Sequence, residues 1–566
     1  MSYDIIIGRN ESDKKKLGDK GLIFIGKGYV KMGQYTSLSN KIFMDVARSH
    51  VVLVAGKRGS GKCLHGDTLI TLADGSQIPI KELEDNKEKV LSLNNKLKIE
   101  KSTKSKFFSR EVDKLLKIKL RSGKEIKLTP EHPLLTIKGW KPVQELTIGS
   151  RIATPRKTSF GNNQLPEHEI KLLSYLLAEG HTKKVVLFTN SDNKIVEDFR
   201  NSLNKFDPSL KLLKEKEYHY RISSPNFKTT VLQSSEIRNQ KGQFTKDSKN
   251  QYEKRSIRKL IEREKMFGLL ATQKYLSKNI MKLNQDNLSL FLNRLFSCDG
   301  SIYKSNNYWE ISYSSSSIKL IKQIQSLLLK FGILSKLRNK KIKLNVKEFL
   351  SYELVLNSTN ALNFIDSIGF FGEKQKRQIV AYEEIKSKNQ NPNVDTIPKE
   401  IWETYKPRNW AEIGREMGYK HPKAMREKIK YSPSRQTLLQ IAKIEQHNPL
   451  HLLATSDIFW DEIISIELIE EKTKVYDICV PENHNFIAND IIVHNSYSLG
   501  VIAEELSNLP KEVSKNIASL IFDTMGIYWT MKHENYKDKS LLQEWELKSK
   551  RLPVKVFVPY GHYDSY

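Results

Sequence analysis

The 566-residue chain is short of cysteine: only Cys63, Cys298 and Cys479 occur, with no C-x-x-C pair. So sparse and odd a set argues against a disulfide scaffold or structural zinc and for a reducing cytoplasm. Long apolar runs are missing as well. No stretch approaches the roughly 18 residues of a membrane span, and the N-terminus, MSYDIIIGRNESDKKK, lacks a signal-peptide core. A soluble cytoplasmic protein with no membrane partner is the expectation. Acidic residues are the minority, 65 Asp and Glu against 94 Lys and Arg, for a formal net charge of +29. That excess makes nucleic acid the first partner to consider, a solvated basic surface being the bland alternative. No array of short repeats is present, and the length accommodates three or four domains.

What is present begins with an interrupted phosphate loop. Residues Gly56 to Lys62 read GKRGSGK after the apolar run Val51 to Val54, placing Gly56, Gly61 and Lys62 at the fixed motif positions and Gly59 within the loop beside the expected nucleotide. The pattern G-x-x-x-x-G-K-[ST] requires a hydroxyl next, as a magnesium ligand. Cys63 stands there instead, a soft and poor ligand for magnesium. The hydroxyl appears far downstream, in His494-Asn495-Ser496-Tyr497. Joining Lys62 to Ser496 restores VVLVAGKRGSGKSYSLGVIAEEL, a strand, a complete loop and an amphipathic helix. The segment between starts with a nucleophile and ends in His-Asn.

Taken in order, residues 1–50 alternate apolar and polar positions with glycine punctuation, predicting short strands and tight turns. After Cys63, DTLITLADGSQIPIKELE and LLKIKLRSGKEIKLTPEHPLLTI predict more short strands, turning at Ala73-Asp74-Gly75 and Arg121-Ser122-Gly123. Residues 164–385 read mainly helical and lysine-rich, 386–395 as a linker, and 408–446 as helical again. From Trp460 the strand pattern returns in IISIELI, KVYDICV and FIANDIIVHN. A strand-rich unit therefore brackets a helical insertion.

Self-excision of such a segment needs a thiol to attack the Lys62 carbonyl, which Cys63 supplies. It needs a histidine at the scissile amide, offered by Thr129-Pro130-Glu131-His132, and a second acyl acceptor, Ser496. Asn495 can cyclise to release the insert, with His494 beside it and His484 seven residues after Asp477. Cys63, TPEH, VYDICVPENHNF and IIVHN before Ser496 together resemble the motifs of inteins. That resemblance implies an all-β horseshoe, the hedgehog/intein fold, in which Asp477 couples thioester formation to transfer. Cys479 reads as a small core residue beside Asp477.

Within the insert, LLSYLLAEG ending at Glu179-Gly180 and LNRLFSCDG ending at Asp299-Gly300 are two apolar helical runs closed by an acid and a glycine. Side by side, they would bring Glu179 and Asp299 together as a pair able to hold magnesium at a scissile phosphate. The pair resembles the LAGLIDADG homing endonucleases, which implies two αββαββα halves and double-stranded DNA, the uninterrupted host gene, as partner. Ser174 and Arg294 depart from the small residues that the family prefers at the helix contact, and Arg294 is expected to resist close approach. Lys374 and Lys376 resemble the family's late basic residues, and KLRNKKIK at 336–343 suits phosphate contacts. WAEIGREMGY followed by PKAMREKIK reads either as a helix-turn-helix or as two short helices packed on the nuclease.

The joined ends resemble HerA-like ATPases of the DNA-translocase group, possible homo-oligomers in which ATP and magnesium would meet Lys62 and Ser496. Asp523 closes the run LIFD, as a strand-end acid near nucleotide or as a plain turn residue. A joined product of about 130 residues is too short for a complete motor. The expected organisation is multidomain. A β-rich host cap and P-loop start (1–62) precedes the N-terminal splicing part (63–160), an α+β endonuclease (161–385) and a helical accessory DNA-binding module (396–455). The C-terminal splicing part (456–495) and the rest of a P-loop α/β ATPase (496–566) follow. Splicing itself needs no cofactor. Two alternatives stand beside this reading: a P-loop ATPase with a permanent insertion, and a DNA-binding protein with a dead splicing fold.

Overall fold

The computed structural model describes residues 4–32, 35–47, 62–104, 107–183, 186–223, 256–306, 308–344, 347–357, 359–387, 395–407, 409–495 and residue 534. Gly56, Gly59, Gly61, Ser496 and Asp523 lie outside these, as does most of the expected linker. No described helix is long and apolar enough to cross a membrane.

Residues 4–47 hold a three-stranded sheet in which Tyr35–Asp45 runs parallel to Ile5–Ile7 and antiparallel to Leu22–Met32. A short helix, Glu11–Leu17, interrupts what reads as strands and turns, started by the Asn10 side chain accepting from the Asp13 N–H. The Asn-x-x-Asp start with lysines in the last turn explains it: both ends suit the helix dipole.

The middle of the β-rich unit is a ribbon of two long antiparallel strands, Phe107–Leu120 and Ile458–Ile478. IISIELI and KVYDICV, which read as separate strands, are one strand of 21 residues. No turn residue falls between them, and Phe107–Leu120 supplies a partner along most of the length. The ribbon joins a five-stranded sheet with Arg151–Pro155, Leu64–His65 and Glu125–Leu128. A six-stranded sheet follows the order Gly139–Pro142, Pro133–Thr136, Ile491–His494, Asn485–Ala488, Leu69–Thr71, Gln77–Pro79. Ile118, Leu120, Ile126, Leu128, Leu134, Phe486 and Val493 fill the core between them.

Residues 167–367 contain one order of elements twice, helix–strand–strand–helix–strand–strand–helix. The first begins at the helix Glu167–Glu179 and the second at Gln285–Asp299, and each has a four-stranded sheet with the same strand order. The eight strands correct the mainly helical reading of 164–385: Lys211–Lys216 and Lys336–Leu344 are polar hairpin strands that lack an apolar alternation to betray them. The two leading helices pack closely, with Ser174 Oγ donating to the Phe291 carbonyl at 2.7 Å. Arg294 does not resist this approach. It turns away, donating to Asp198 at 2.8 Å and lying 4.1 Å over the Phe371 ring.

In the stretch 396–455, Trp410–Glu416 is helical, but PKAMREKIK forms a 3-10 stretch, Pro422–Lys430, where a second α-helix was expected. The Pro422 carbonyl would lie 2.6 Å from a Cβ at Gly414, so only glycine admits this crossing. Trp402, Ile413, Met425, Leu438 and Ile441 share one core with Leu91, Ile458, Trp460 and Ile487. The module is built onto the strands rather than onto the duplicated repeat.

Candidate functional site

Strand register places the residues from both ends of the insert in one buried cluster. Leu64 pairs with Leu128 and with Tyr476; one step along each pairing, Cys63 faces Thr129 and Asp477. Leu134 pairs with Val493, so two steps on, His132 faces Asn495. Four strands thus converge on the junctions although Cys63 and Asn495 are more than 400 residues apart.

Thr129 grips the first junction from both sides. The Cys63 N–H donates to Thr129 Oγ1 at 3.2 Å, and the Thr129 N–H donates to the Cys63 carbonyl at 3.0 Å. Cys63 is buried, and Arg110 Nε donates to its Sγ at 3.3 Å. Burial pushes the thiol up to about 11, the Asp477 carboxyl adds to this, and Arg110 opposes it. Asp477 is itself held well above the usual carboxylate range by burial, with Lys62 and Arg110 pulling the other way. Its Oδ1 accepts from the Ile478 N–H at 2.9 Å.

His132 is fully buried and neither ring nitrogen has a partner among the described residues. Burial, then the His494 and Lys62 charges, draw it down to about 3; a Cys63 backbone group lies close enough to oppose this without forming a bond. An orphaned polar ring in a core is costly unless something else needs it there. At the second junction Asn495 is buried, its N–H donating to the His484 carbonyl at 3.0 Å. Its side-chain amide satisfies both neighbours with oxygen on the Val480 N–H (2.8 Å) and nitrogen on the His484 carbonyl (2.5 Å). His484 takes a positive φ of 52°, closing the Val480–His484 turn. His494 Nδ1 contacts the Asn495 carbonyl oxygen, its ring meets the Trp140 edge at 4.7 Å, and burial draws it down to about 4.

Sequence reasoning missed three parts of this cluster. Arg110 lies mid-strand among many basic residues, and no local pattern marks it. Lys62, assigned to nucleotide, here reaches His494 Nδ1 at 3.5 Å. Asn485 clamps the Val480–His484 turn by a two-way bond to Leu93, accepting from its N–H (2.7 Å) and donating to its carbonyl (2.8 Å).

A separate pair of acids sits at the ends of the two packed helices. Glu179 accepts from Asn190 Nδ2 at 2.6 Å, and burial lifts it to about 7, with Asp299 adding to this. Asp299 accepts from the Tyr313 hydroxyl at 3.3 Å and is likewise raised by burial. Lys274 Nζ donates to the carbonyls of Leu177 and Ala178, and Lys374 Nζ to those of Ser297, Cys298 and Gly300, all within 2.8 Å. Lys374 was singled out from the sequence and Lys274 was not, although the internal duplication would have flagged it. Lys376 is exposed and pairs with Glu373. The described residues hold no group of three or more His, Cys, Asp or Glu side chains arranged for a metal.

Comparison with known proteins returns a match to the intein splicing domain over residues 70–495. The chain is 33% identical over 467 residues to the replicative DNA helicase DnaB of Synechocystis sp., covering 78% of this chain and 50% of that protein. It is 30% identical over 464 residues to DnaB of Rhodothermus marinus (78% and 46%) and 30% over 371 residues to a replication factor C small subunit of Methanocaldococcus jannaschii (62% and 18%). The chain spans about half the length of the first curated relatives it matches. Among solved structures, a DnaB intein from Synechocystis is 37% identical, covering 17% of this chain and 70% of its own at a TM-score of 0.16. The family match takes in three quarters of the chain, from a few residues after Cys63 to Asn495; the chain belongs to the intein splicing family.

Proposed function

We propose that the chain excises residues 63–495 from itself and joins Lys62 to Ser496. The observation that carries this reading is the buried cluster in which Cys63, Thr129, His132, Asp477, His484, His494 and Asn495 meet. Cys63 Sγ attacks the Lys62 carbonyl carbon, the Lys62–Cys63 C–N bond breaks, and the thiol proton ends on the freed amine. Thr129 holds that amide, and His132, neutral and otherwise unbonded, has the lone pair and N–H to relay the proton. Ser496 Oγ then displaces the thiol to give an ester. Asn495 Nδ2 attacks its own main-chain carbonyl, the bond to the Ser496 nitrogen breaks, and that amine recaptures the acyl group as an amide. Expressed under reducing conditions and followed by mass, the 65.5 kDa chain should give a joined product and a free insert, and Cys63→Ala plus Asn495→Ala should stop both. Accumulation of the intact wild-type chain would refute the reading.

The duplicated repeat supports a second activity, double-strand DNA cleavage by a LAGLIDADG-type homing endonuclease at 161–385. Among the described residues Glu179 and Asp299 each use one carboxylate oxygen in a hydrogen bond and leave the other open, and hard oxygens whose ionised form burial disfavours are suited to a magnesium ion, which would restore it. That ion would supply charge neutralisation at the phosphate. Lys274 and Lys374 hold the helix ends that carry the two acids. Magnesium-dependent cutting of the uninterrupted host gene should vanish in Glu179→Ala and in Asp299→Ala; cutting that persists in both removes the assignment. The host would be a HerA-like ATPase, in keeping with relatives named as helicases and replication factors, with ATP and magnesium at Lys62 and Ser496 once joined.

A further inference from the structure

His494 Nδ1 is asked to do two incompatible things. On one side Lys62 Nζ lies 3.5 Å away, a donor to which the nitrogen must present its lone pair. On the other it touches the Asn495 carbonyl oxygen, an acceptor to which it must present an N–H. The ring is pinned edge-on by Trp140, so it serves both partners from one position. The Asn495 side chain is already seated, its nitrogen on the His484 carbonyl and its oxygen on the Val480 N–H. Of the groups that cyclisation needs, only the donor to the attacked carbonyl is in dispute.

We propose that Lys62 is a positioning residue that holds back Asn495 cyclisation until the first acyl transfer is complete. This rests on the splicing reading above. While Lys62 is amide-linked to Cys63, its amino group takes the Nδ1 lone pair and keeps His494 as the Nε2–H tautomer, which cannot polarise the Asn495 carbonyl. Transfer to the Ser496 ester moves the Lys62 backbone away from Cys63 and breaks that placement. The ring then adopts the Nδ1–H tautomer and donates to the carbonyl. In the step so released, the Asn495 Nδ2–C bond forms, the C–N bond to Ser496 breaks, and one proton passes from Nδ2 to the departing amine. No co-reactant is required. The lysine that later binds phosphate thus first enforces the order of events, so that the host is not cut before it is joined.

The test uses the full chain with Cys63→Ala, in which the first step is blocked and cleavage before Ser496 can be timed alone. Lys62→Met should raise that cleavage about tenfold, and Lys62→Arg, which keeps a cationic donor, should leave it near the parent rate. Histidine-selective 15N spectra of the Cys63→Ala/Asn495→Ala chain should report Nε2–H at His494 with Lys62 and Nδ1–H with Lys62→Met. An unchanged or slower cleavage in Lys62→Met, or an unchanged tautomer, overturns the proposal. The chain with Cys63 intact separates the two readings: if it splices while Lys62→Met leaves cleavage unaltered, only the braking role fails. If it never splices, the underlying reaction fails with it.

Discussion

Burial holds the Cys63 thiol up at about 11, so at neutral pH only about one molecule in ten thousand carries the thiolate. In the proposed reaction Arg110 is the group that keeps this figure from being lower. Thioester formation, read as thiol-induced cleavage after Lys62 in an Asn495→Ala chain, should climb with pH from 7 to 10. Arg110→Met should slow it roughly tenfold at pH 8 and move the whole profile upward. A profile left in place would mean that the 3.3 Å contact has no part in activation. His132 makes a different prediction. Its folded value of about 3 lies below the ordinary 6.5, so the unfolded chain takes up the proton first. The stability contributed by the neutral ring is full above pH 6.5 and is lost as pH falls towards 3. The loss is about 2 kcal/mol at pH 5. Urea unfolding of a Cys63→Ala/Asn495→Ala chain at pH 7.5 and 5 should reveal it, and His132→Gln should remove that share of the acid sensitivity. Equal acid sensitivity in both chains would count against a neutral buried ring. The residues at the junctions could be read from the chain because their chemistry demands particular types at particular places. Arg110 could not, since one arginine in a strand looks like another until register sets it opposite a thiol.

At the scale of elements, the two leading helices of the repeat were legible from their Glu-Gly and Asp-Gly endings, and the reason for the departure at Arg294 was not. Asp198, on the next helix, Asn193–Phe206, gathers the Tyr175 hydroxyl (2.7 Å), Lys171 Nζ (2.9 Å) and Arg294 Nε (2.8 Å) in a largely buried knot. One carboxylate answers two cations there, so an arginine at a helix contact becomes tolerable. Asp198→Ala should leave Arg294 nearly buried without a carboxylate, while Lys171 keeps Glu167 at 2.7 Å, costing about 3 kcal/mol. Thermal unfolding followed by tyrosine fluorescence would register a drop of several degrees, whereas a change within one degree would show that solvent can replace the carboxylate. The eight strands of the repeat escaped periodicity because several, such as Lys211–Lys216, are mostly exposed and carry no alternation of apolar residues. The 3-10 stretch Pro422–Lys430 escaped because its cause is a close crossing at Gly414, a tertiary fact.

At the scale of the whole molecule the charge of +29 belongs with the proposed DNA partner. A double variant that cannot splice should bind a duplex with an affinity that falls about a thousandfold or more between 50 and 200 mM salt, if six or more phosphates are contacted. Fluorescence anisotropy would show it, and a flat salt response would point to a merely solvated surface. The nesting of one unit in another was legible because strand-rich text stops and resumes. How firmly the units are joined was not. Lys330, nearly inaccessible at 1% exposure, runs from the repeat to the Gly75 carbonyl of the strand-rich unit, while Gln77 and Ser326 both donate to Asp490. A lysine in a helical pattern does not announce that it crosses a boundary. The closeness of Lys62 to His494 has one more consequence. An insert of about 430 residues therefore begins and ends at neighbouring points, near enough for one lysine side chain to reach across. Ends held this near each other are what lets the flanks be joined without a large rearrangement of the insert. That is the geometric condition for a cassette that can be lodged within another protein and still be carried as luggage.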